Sequence, residues 1–218
     1  MPKIYIVDVT NRDGVQTSRL GLAKLEKTII NLYLNEMGIH QSEFGFPYTH
    51  HEKNYIAANL ELAEMGVLSP INLSGWCPMR KEEIENSFET GKLKHVNLSI
   101  STSQLMTDGK FSGRIVRTPE ENPDLPNLLD IMAGNVQLAK KLGAKIVGVN
   151  AEDASRTDDE FLVRFAKGAK EAGADRFRYC DTLGYDDPFT IYRRVRMLAE
   201  ETGMPIELHC HNDLGLGV

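Results

Sequence analysis

The stretch LGAKIVGVNAEDASRTDDEFLVRFAKGAKEAGADRFRYCDT, residues 142–182, contains one complete repeat of the pattern that decides the fold. Leu142-Gly143-Ala144 ends a helical segment. An apolar run, 144–151, follows and closes on the polar residues Asn150-Ala151-Glu152-Asp153. A second helical segment then leads to Ala172-Gly173-Ala174 and the next run, 175–182. Glycine suits the position after a helix because the chain there turns left-handed, which is costly for a residue with a Cβ. The pattern recurs outward in both directions, with glycines at 38, 66, 91, 143, 173 and 203. Their spacings are 28, 25, 52, 30 and 30 residues. The spacing of 52 reads as one unit plus an insertion, and the polar, proline-bearing segment 105–126 is expected to be a long loop.

Seven buried strands are expected, over 3–10, 40–46, 69–76, 95–101, 144–151, 175–182 and 205–211. Segments of helical period lie between them. In 20–37 the apolar residues Leu22, Leu25, Ile29, Leu32, Tyr33 and Met37 fall three or four apart, as in a helix with one apolar side. Thr49 with Glu52, and Thr157 with Glu160, have capping-box spacing. Asp187-Pro188 reads as a cap followed by proline at the first helical position. Alternating strand and helix argues for a parallel sheet with helices outside it. Units of near-constant length favour a (β/α)8 TIM barrel over a doubly wound sheet, and no glycine-rich phosphate-binding motif follows a strand.

The length sharpens this reading. An eight-unit barrel takes about 250 residues, and this chain has 218. Seven βα starts fill it, so the expected fold is an incomplete barrel: one catalytic domain over 1–218, with the eighth strand and the C-terminal region absent. At 41% hydrophobic residues the chain is too apolar for a disordered polymer. A net charge of −6 without a dense basic run argues against a nucleic-acid partner. No apolar stretch is long enough for a membrane span, and the N-terminal run MPKIYIVDVT, with one lysine before a strand-like segment, is expected to be a strand and not a signal peptide. Three cysteines without framework spacing fit the cytoplasm.

In such folds the chemistry sits at the carboxyl ends of the strands. Those ends are polar here. The first ends in Asp8-Val9-Thr10-Asn11-Arg12-Asp13, and the last in His209-Cys210-His211-Asn212-Asp213. His209 and His211, two apart on a strand, share a face. With Asp13 from the first strand they make a mixed nitrogen and oxygen site for a divalent ion, where the bland alternative is one core and one surface histidine. Such ligands accommodate Mg, Mn, Fe or Zn. Arg12 is either a surface ion pair or a fixed cation over a developing oxyanion. Glu152 is either a base, a substrate-positioning carboxylate or a solvated acid. Gln16, Glu43 and Thr182 are individually weak and serve equally as turn or cap residues. His50, His51 and His95 read as surface residues, Cys180 and Cys210 as core, and Trp76 and Arg80 as candidates for lining the mouth.

These motifs resemble a known family. Asp8-x-Thr10-x-Arg12-Asp13-Gly14-x-Gln16, Glu43-x-Gly45-Phe46-Pro47 and His209-x-His211-Asn212-Asp213 are similar to the signatures of the metal-dependent acyl-CoA barrel family. That family contains homocitrate, isopropylmalate and citramalate synthases and hydroxymethylglutaryl-CoA lyase. Residues 151–158 and 176–184 resemble the homocitrate synthases associated with nitrogen fixation. The resemblance implies Asp13, His209 and His211 as metal ligands and Arg12 beside the oxygen that gains charge. It places Gln16, Glu43 and Thr182 in a 2-oxo acid pocket, and Glu152 near the acetyl group. It implies an acyltransferase that joins acetyl-CoA and 2-oxoglutarate by Claisen condensation, giving homocitrate and CoA. Isopropylmalate or citramalate synthesis is the alternative within the family. A half-subunit that is inactive without a second chain is the alternative outside it. A homo-oligomer, or a complex with a chain supplying the C-terminal half, is the expected assembly. One departure stands out: the fourth strand reads Asn97-Leu98-Ser99-Ile100-Ser101 where the family often carries histidine first.

Overall fold

The computed structural model describes residues 3–47, 50–91 and 93–216. Strands and helices alternate: β1 Val7–Asp8, α1 Lys24–Glu36, β2 Gln41–Gly45, α2 His50–Glu64, β3 Asn72–Pro78, α3 Lys81–Gly91, β4 His95–Ser101, α4 Gln104–Phe111, α5 Leu128–Lys141, β5 Ile146–Glu152, α6 Asp159–Glu171, β6 Arg176–Asp181, α7 Pro188–Thr202 and β7 Ile206–Cys210. The strand order is the chain order, and the ladders β1–β2, β2–β3, β5–β6 and β6–β7 are all parallel. All seven expected strands are present. The chain divides into two compact units, residues 1–97 with 142–145, and 98–141 with 146–218.

In the first unit, Leu34, Phe44, Tyr55, Ile56, Leu68, Ile71, Leu73 and Leu93 form the core. The expected strand 3–10 is only two residues long. The Asp8 carboxylate accepts from the Thr10 amide at 2.9 Å and its hydroxyl at 3.0 Å. The Val9 carbonyl collects the amides of Arg12, Asp13 and Gly14. This polar stretch satisfies its backbone in a tight turn, so it leaves the ladder early.

Helix α1 buries only part of the apolar side that its sequence presents: Leu32 packs against the core. Leu25, Ile29, Tyr33 and Met37 are exposed, while Lys27, Asn31 and Leu34 are buried. Asn31 explains the inversion. Its Oδ1 accepts from Asn11 Nδ2 and Ser42 Oγ, and its Nδ2 donates to Tyr55 Oη and Asn59 Oδ1, each at 2.9 Å. Lys27 Nζ reaches Glu52 at 2.8 Å. A polar network in which Asn31 uses both ends of its amide can occupy a buried face that hydrophobic periodicity would assign to apolar residues.

In the second unit, Phe165 meets Phe161 at a tilt and Phe177 edge-on, with centroids at 5.9 and 6.3 Å. Helix α7 starts as expected, with the Asp187 carboxylate accepting from the amides of Phe189 and Thr190 and Pro188 opening the helix. Helix α6 is capped by Asp158, which accepts from the Phe161 amide. Thr157, the expected cap, instead donates its hydroxyl to the Asp153 carbonyl at 3.0 Å and pairs with the Thr102 hydroxyl at 2.8 Å. The supposed long loop 105–126 contains most of α4, which Ser103 caps. Thr49, the expected capping partner of Glu52, and Lys92, at the end of the third repeat, lie outside the described residues. Among the described residues no helix is long and apolar enough to cross a membrane.

Candidate functional site

The first unit gathers Arg12, Asp13 and Glu43. Arg12 follows the Val9 turn, which aims it at the end of β2. Its Nε donates to Glu43 Oε1 at 2.8 Å, its Nη2 lies 2.7 Å from the same oxygen, and its Nη1 donates to Asp13 Oδ1 at 2.9 Å. The guanidinium lies over the Trp76 ring, 5.4 Å from its centroid, and Phe46 meets that ring edge-on. Glu43 is fully buried, and Asn97 donates to its other oxygen. The β2–β3 register shifts between Glu43 and Gly45, the kind of irregularity that re-aims a side chain next to a site. Glu43 therefore fixes Arg12. Gln16 is exposed in the short 3-10 turn Gly14–Gln16, and Arg80 is exposed after β3.

The second unit gathers Glu152, Thr182, His209 and His211. Glu152 ends β5 and accepts from Ser99 Oγ at 2.9 Å and Ser101 Oγ at 2.7 Å, one on each oxygen. Lys110 Nζ lies 3.4 Å away. Asp153, left-handed at φ +58°, is tied down by Arg156 at 2.7 Å and by Ser103, and its amide donates to Thr182 Oγ1 at 2.9 Å. The β6–α7 loop is fixed by Asp181, whose carboxylate accepts from the amides of Tyr185 and Asp186. Burial pushes the Asp186 carboxyl up, while the Tyr179 hydroxyl and Arg194 pull it back.

His209 lies on β7 opposite Cys180, and the ladder carries on one step further where the His211 amide donates to the Asp181 carbonyl at 3.1 Å. This continuation keeps both rings on one face, although β7 itself stops at Cys210. Their Nε2 atoms are 3.2 Å apart, with centroids at 5.0 Å. For metal–nitrogen bonds of about 2.0–2.1 Å, ligands subtending about 90–110° are about 2.8–3.4 Å apart. The imidazole pair thus fits one shared ion. The cysteines stay outside this chemistry. Burial pushes Cys77 up to about 12 and Cys210 up to about 11, so neither is a thiolate near neutral pH.

Gly184 adjoins the histidine motif. It has φ +60°, and a Cβ there would meet the His211 carbonyl oxygen at 2.8 Å and the Asp213 amide nitrogen at 3.1 Å. Gly203 has φ +62° but meets only the Lys170 Nζ, at 3.6 Å. Gly203→Ala is expected to cost about 1–2 kcal/mol of backbone strain. Gly184→Ala should cost about 1–3 kcal/mol more from the clash and shift His211. Thermal melts of the two variants check the difference, and equal losses would show that the close approach carries no energy.

Sequence reading did not single out Ser99, Ser101 or Lys110. The serines were legible as a period-2 polar face with Asn97 on β4. Lys110 lay hidden in a segment expected to be loop.

The whole chain has relatives. An HMGL-like family model matches residues 3–218. The chain is 58% identical to the citrate (Re)-synthase of Dehalococcoides mccartyi (strain CBDB1), over 100% of this chain and 51% of that protein. It is 40% identical to 2-isopropylmalate synthase 2 of Caldanaerobacter subterraneus subsp. tengcongensis, over 98% of this chain and 51% of that protein. It is 33% identical to homocitrate synthase 1 of Nostoc sp. (strain PCC 7120), over 99% of this chain and 53% of that protein. The chain thus spans about half the length of these relatives. The HMG-CoA lyase of Brucella melitensis shares the fold, with a TM-score of 0.74 at 15% identity over 98% of this chain and 74% of that one. The expected TIM-barrel fold class therefore holds, and the chain belongs to the HMGL-like family.

Proposed function

We propose that the chain is the N-terminal catalytic part of an acyltransferase that condenses acetyl-CoA with a 2-oxo dicarboxylic acid. Oxaloacetate is the favoured acceptor and citrate the product. The observation that carries this reading is the 58% identity to a citrate (Re)-synthase along the full chain, against 33% to a homocitrate synthase. The 2-oxoglutarate reading stands second. Its acceptor is one methylene longer, a difference that a pocket discriminates by about 10–200-fold.

In this reading Asp13, His209 and His211 hold a divalent ion. That ion supplies a Lewis acid to the acceptor's ketone. Arg12, fixed by Glu43, presents its cation to the ketone oxygen as charge develops there. Glu152 stands on the acyl-donor side, where its carboxylate takes a methyl proton from the acetyl thioester. Thr182, braced by the Asp153 amide, and Gln16 orient the acceptor. The departure at Asn97 supports a distinct acceptor preference, because this side chain donates to Glu43.

A thiol-release assay of the full protein with acetyl-CoA tests the reading. The panel comprises oxaloacetate, 2-oxoglutarate, pyruvate and 2-oxoisovalerate. Oxaloacetate should give the highest kcat/KM. Preference for 2-oxoisovalerate would move the protein among the isopropylmalate synthases, and absence of CoA release with every acid would end the acyl-transfer reading.

A further inference from the structure

Helix α4 delivers one side chain to the reacting end of β5. Lys110, in its last turn, places Nζ 3.4 Å from Glu152 Oε2 and 3.3 Å from Ser101 Oγ. The carboxylate does not need this ammonium to hold its position, because Ser99 and Ser101 already donate to its two oxygens at 2.9 and 2.7 Å. Nor is the pair built like a structural one. Charge-assisted N–H···O contacts usually close to about 2.7–2.9 Å, and the neighbouring Arg156–Asp153 pair does so at 2.7 Å around a buried carboxylate. Lys110 and Glu152 are 41% and 24% exposed and stand further apart. A compact charge on a four-carbon stem, loosely paired and partly in solvent, can follow a charge that moves.

We propose that Lys110 is a catalytic residue of the acyl-donor side, which pairs with the Glu152 carboxylate at rest and with the thioester oxygen once that oxygen gains charge. The proposal rests on the acyl-transfer reading above. The step balances. A methyl C–H bond of the acetyl thioester breaks, its proton forms an O–H bond on Glu152, and its electron pair forms the enolate C=C as the carbonyl π pair moves to oxygen. Glu152 becomes neutral and the thioester oxygen becomes negative. The Lys110 ammonium keeps its protons and transfers its hydrogen bond from the first oxygen to the second. One anion and one cation are present before and after. Without Lys110, the negative charge would move onto the thioester oxygen with no cation following it.

Lys110→Met preserves the apolar stem and removes the charge, and Lys110→Arg keeps a charge. The assays are CoA release by the full protein with acetyl-CoA and oxaloacetate, and exchange of the acetyl methyl protons with D2O. Lys110→Met is expected to lower kcat by about 10²-fold or more, the usual cost of losing one donor to a developing oxyanion. Methyl exchange should fall in parallel. The KM for oxaloacetate should hold, and Lys110→Arg should recover part of kcat. A merely structural lysine would lower the melting temperature and leave kcat and exchange unchanged, and that result overturns the proposal. If the wild-type protein itself releases no CoA with any 2-oxo acid, the acyl-transfer reading falls and takes this one with it. An active wild type with an equally active Lys110→Met variant removes this proposal alone.

Discussion

Replacing either His209 or His211 by alanine is expected to abolish tight divalent-ion binding, and turnover should fall with it. The strand geometry gives the reason. One ring projects from β7 and the other from the next like-facing position, where the His211 amide still bonds to the Asp181 carbonyl. The 3.2 Å between their Nε2 atoms suits two ligands of one ion. Removing one leaves the proposed site a single imidazole beside the Asp13 carboxylate, two ligands where there were three. The affinity loss should therefore exceed the roughly 10–100-fold that follows loss of a supporting outer-shell group. A Lewis acid worth several kcal/mol corresponds to about 10³-fold in rate, so turnover should fall by at least that much. Isothermal titration with Mn²⁺ or Zn²⁺ reads the first effect directly. Both rings are only partly buried, so the melting temperature of the ion-free protein should move little. An unchanged titration for either variant would remove the histidine pair from the site.

Much of this was legible in the sequence, and the misses share a cause. Glycine punctuation and apolar runs located all seven strands, because helix termination and strand burial are local in sequence. Asp187-Pro188 marked a helix start for the same reason. Period alone misassigned the buried side of α1. Its apolar residues do recur at helical spacing, but Asn31 finds four partners on Asn11, Ser42, Tyr55 and Asn59, and three of these lie on other elements. Long-range pairing of that kind leaves no local trace. Strand ends pointed to Arg12, Glu43, Glu152 and the histidines, because polar residues at the end of a buried strand need a reason. What each one touches was not readable. Glu43, which the resemblance places in the 2-oxo acid pocket, also holds Arg12, and Asn97, the departure on the fourth strand, donates to Glu43. Lys110 required knowing that 104–111 is helical.

The pairing of Arg12 with Glu43 yields the largest stability effect. Glu43 is fully buried and Arg12 nearly so, at 10% side-chain exposure. One carboxylate oxygen takes two guanidinium nitrogens, and the other takes the Asn97 amide. Glu43→Gln keeps the volume but not the chemistry. Whichever way the new amide turns, its NH₂ group faces a donor, either Arg12 or Asn97, and the guanidinium loses its counter-ion. Breaking a buried pair from one side costs about 3–5 kcal/mol. At about 2–4 °C per kcal/mol for a chain of this size, the melting temperature should fall by about 6–20 °C. Arg12→Lys probes the same pair from the catalytic side. Lysine has no planar fork, so it cannot hold Glu43 and Asp13 together. In the role proposed for Arg12 at the acceptor's ketone oxygen, kcat should fall by about 10²–10³-fold. Ion affinity should weaken less, by about tenfold, because Asp13, one of the proposed ligands, loses the Nη1 contact that orients it. The two changes touch one interaction, so the double variant should be more stable than the sum of single losses predicts. Additive losses would mean that Arg12 and Glu43 act separately, and a Glu43→Gln protein melting within about 2 °C of wild type would contradict the buried pair itself.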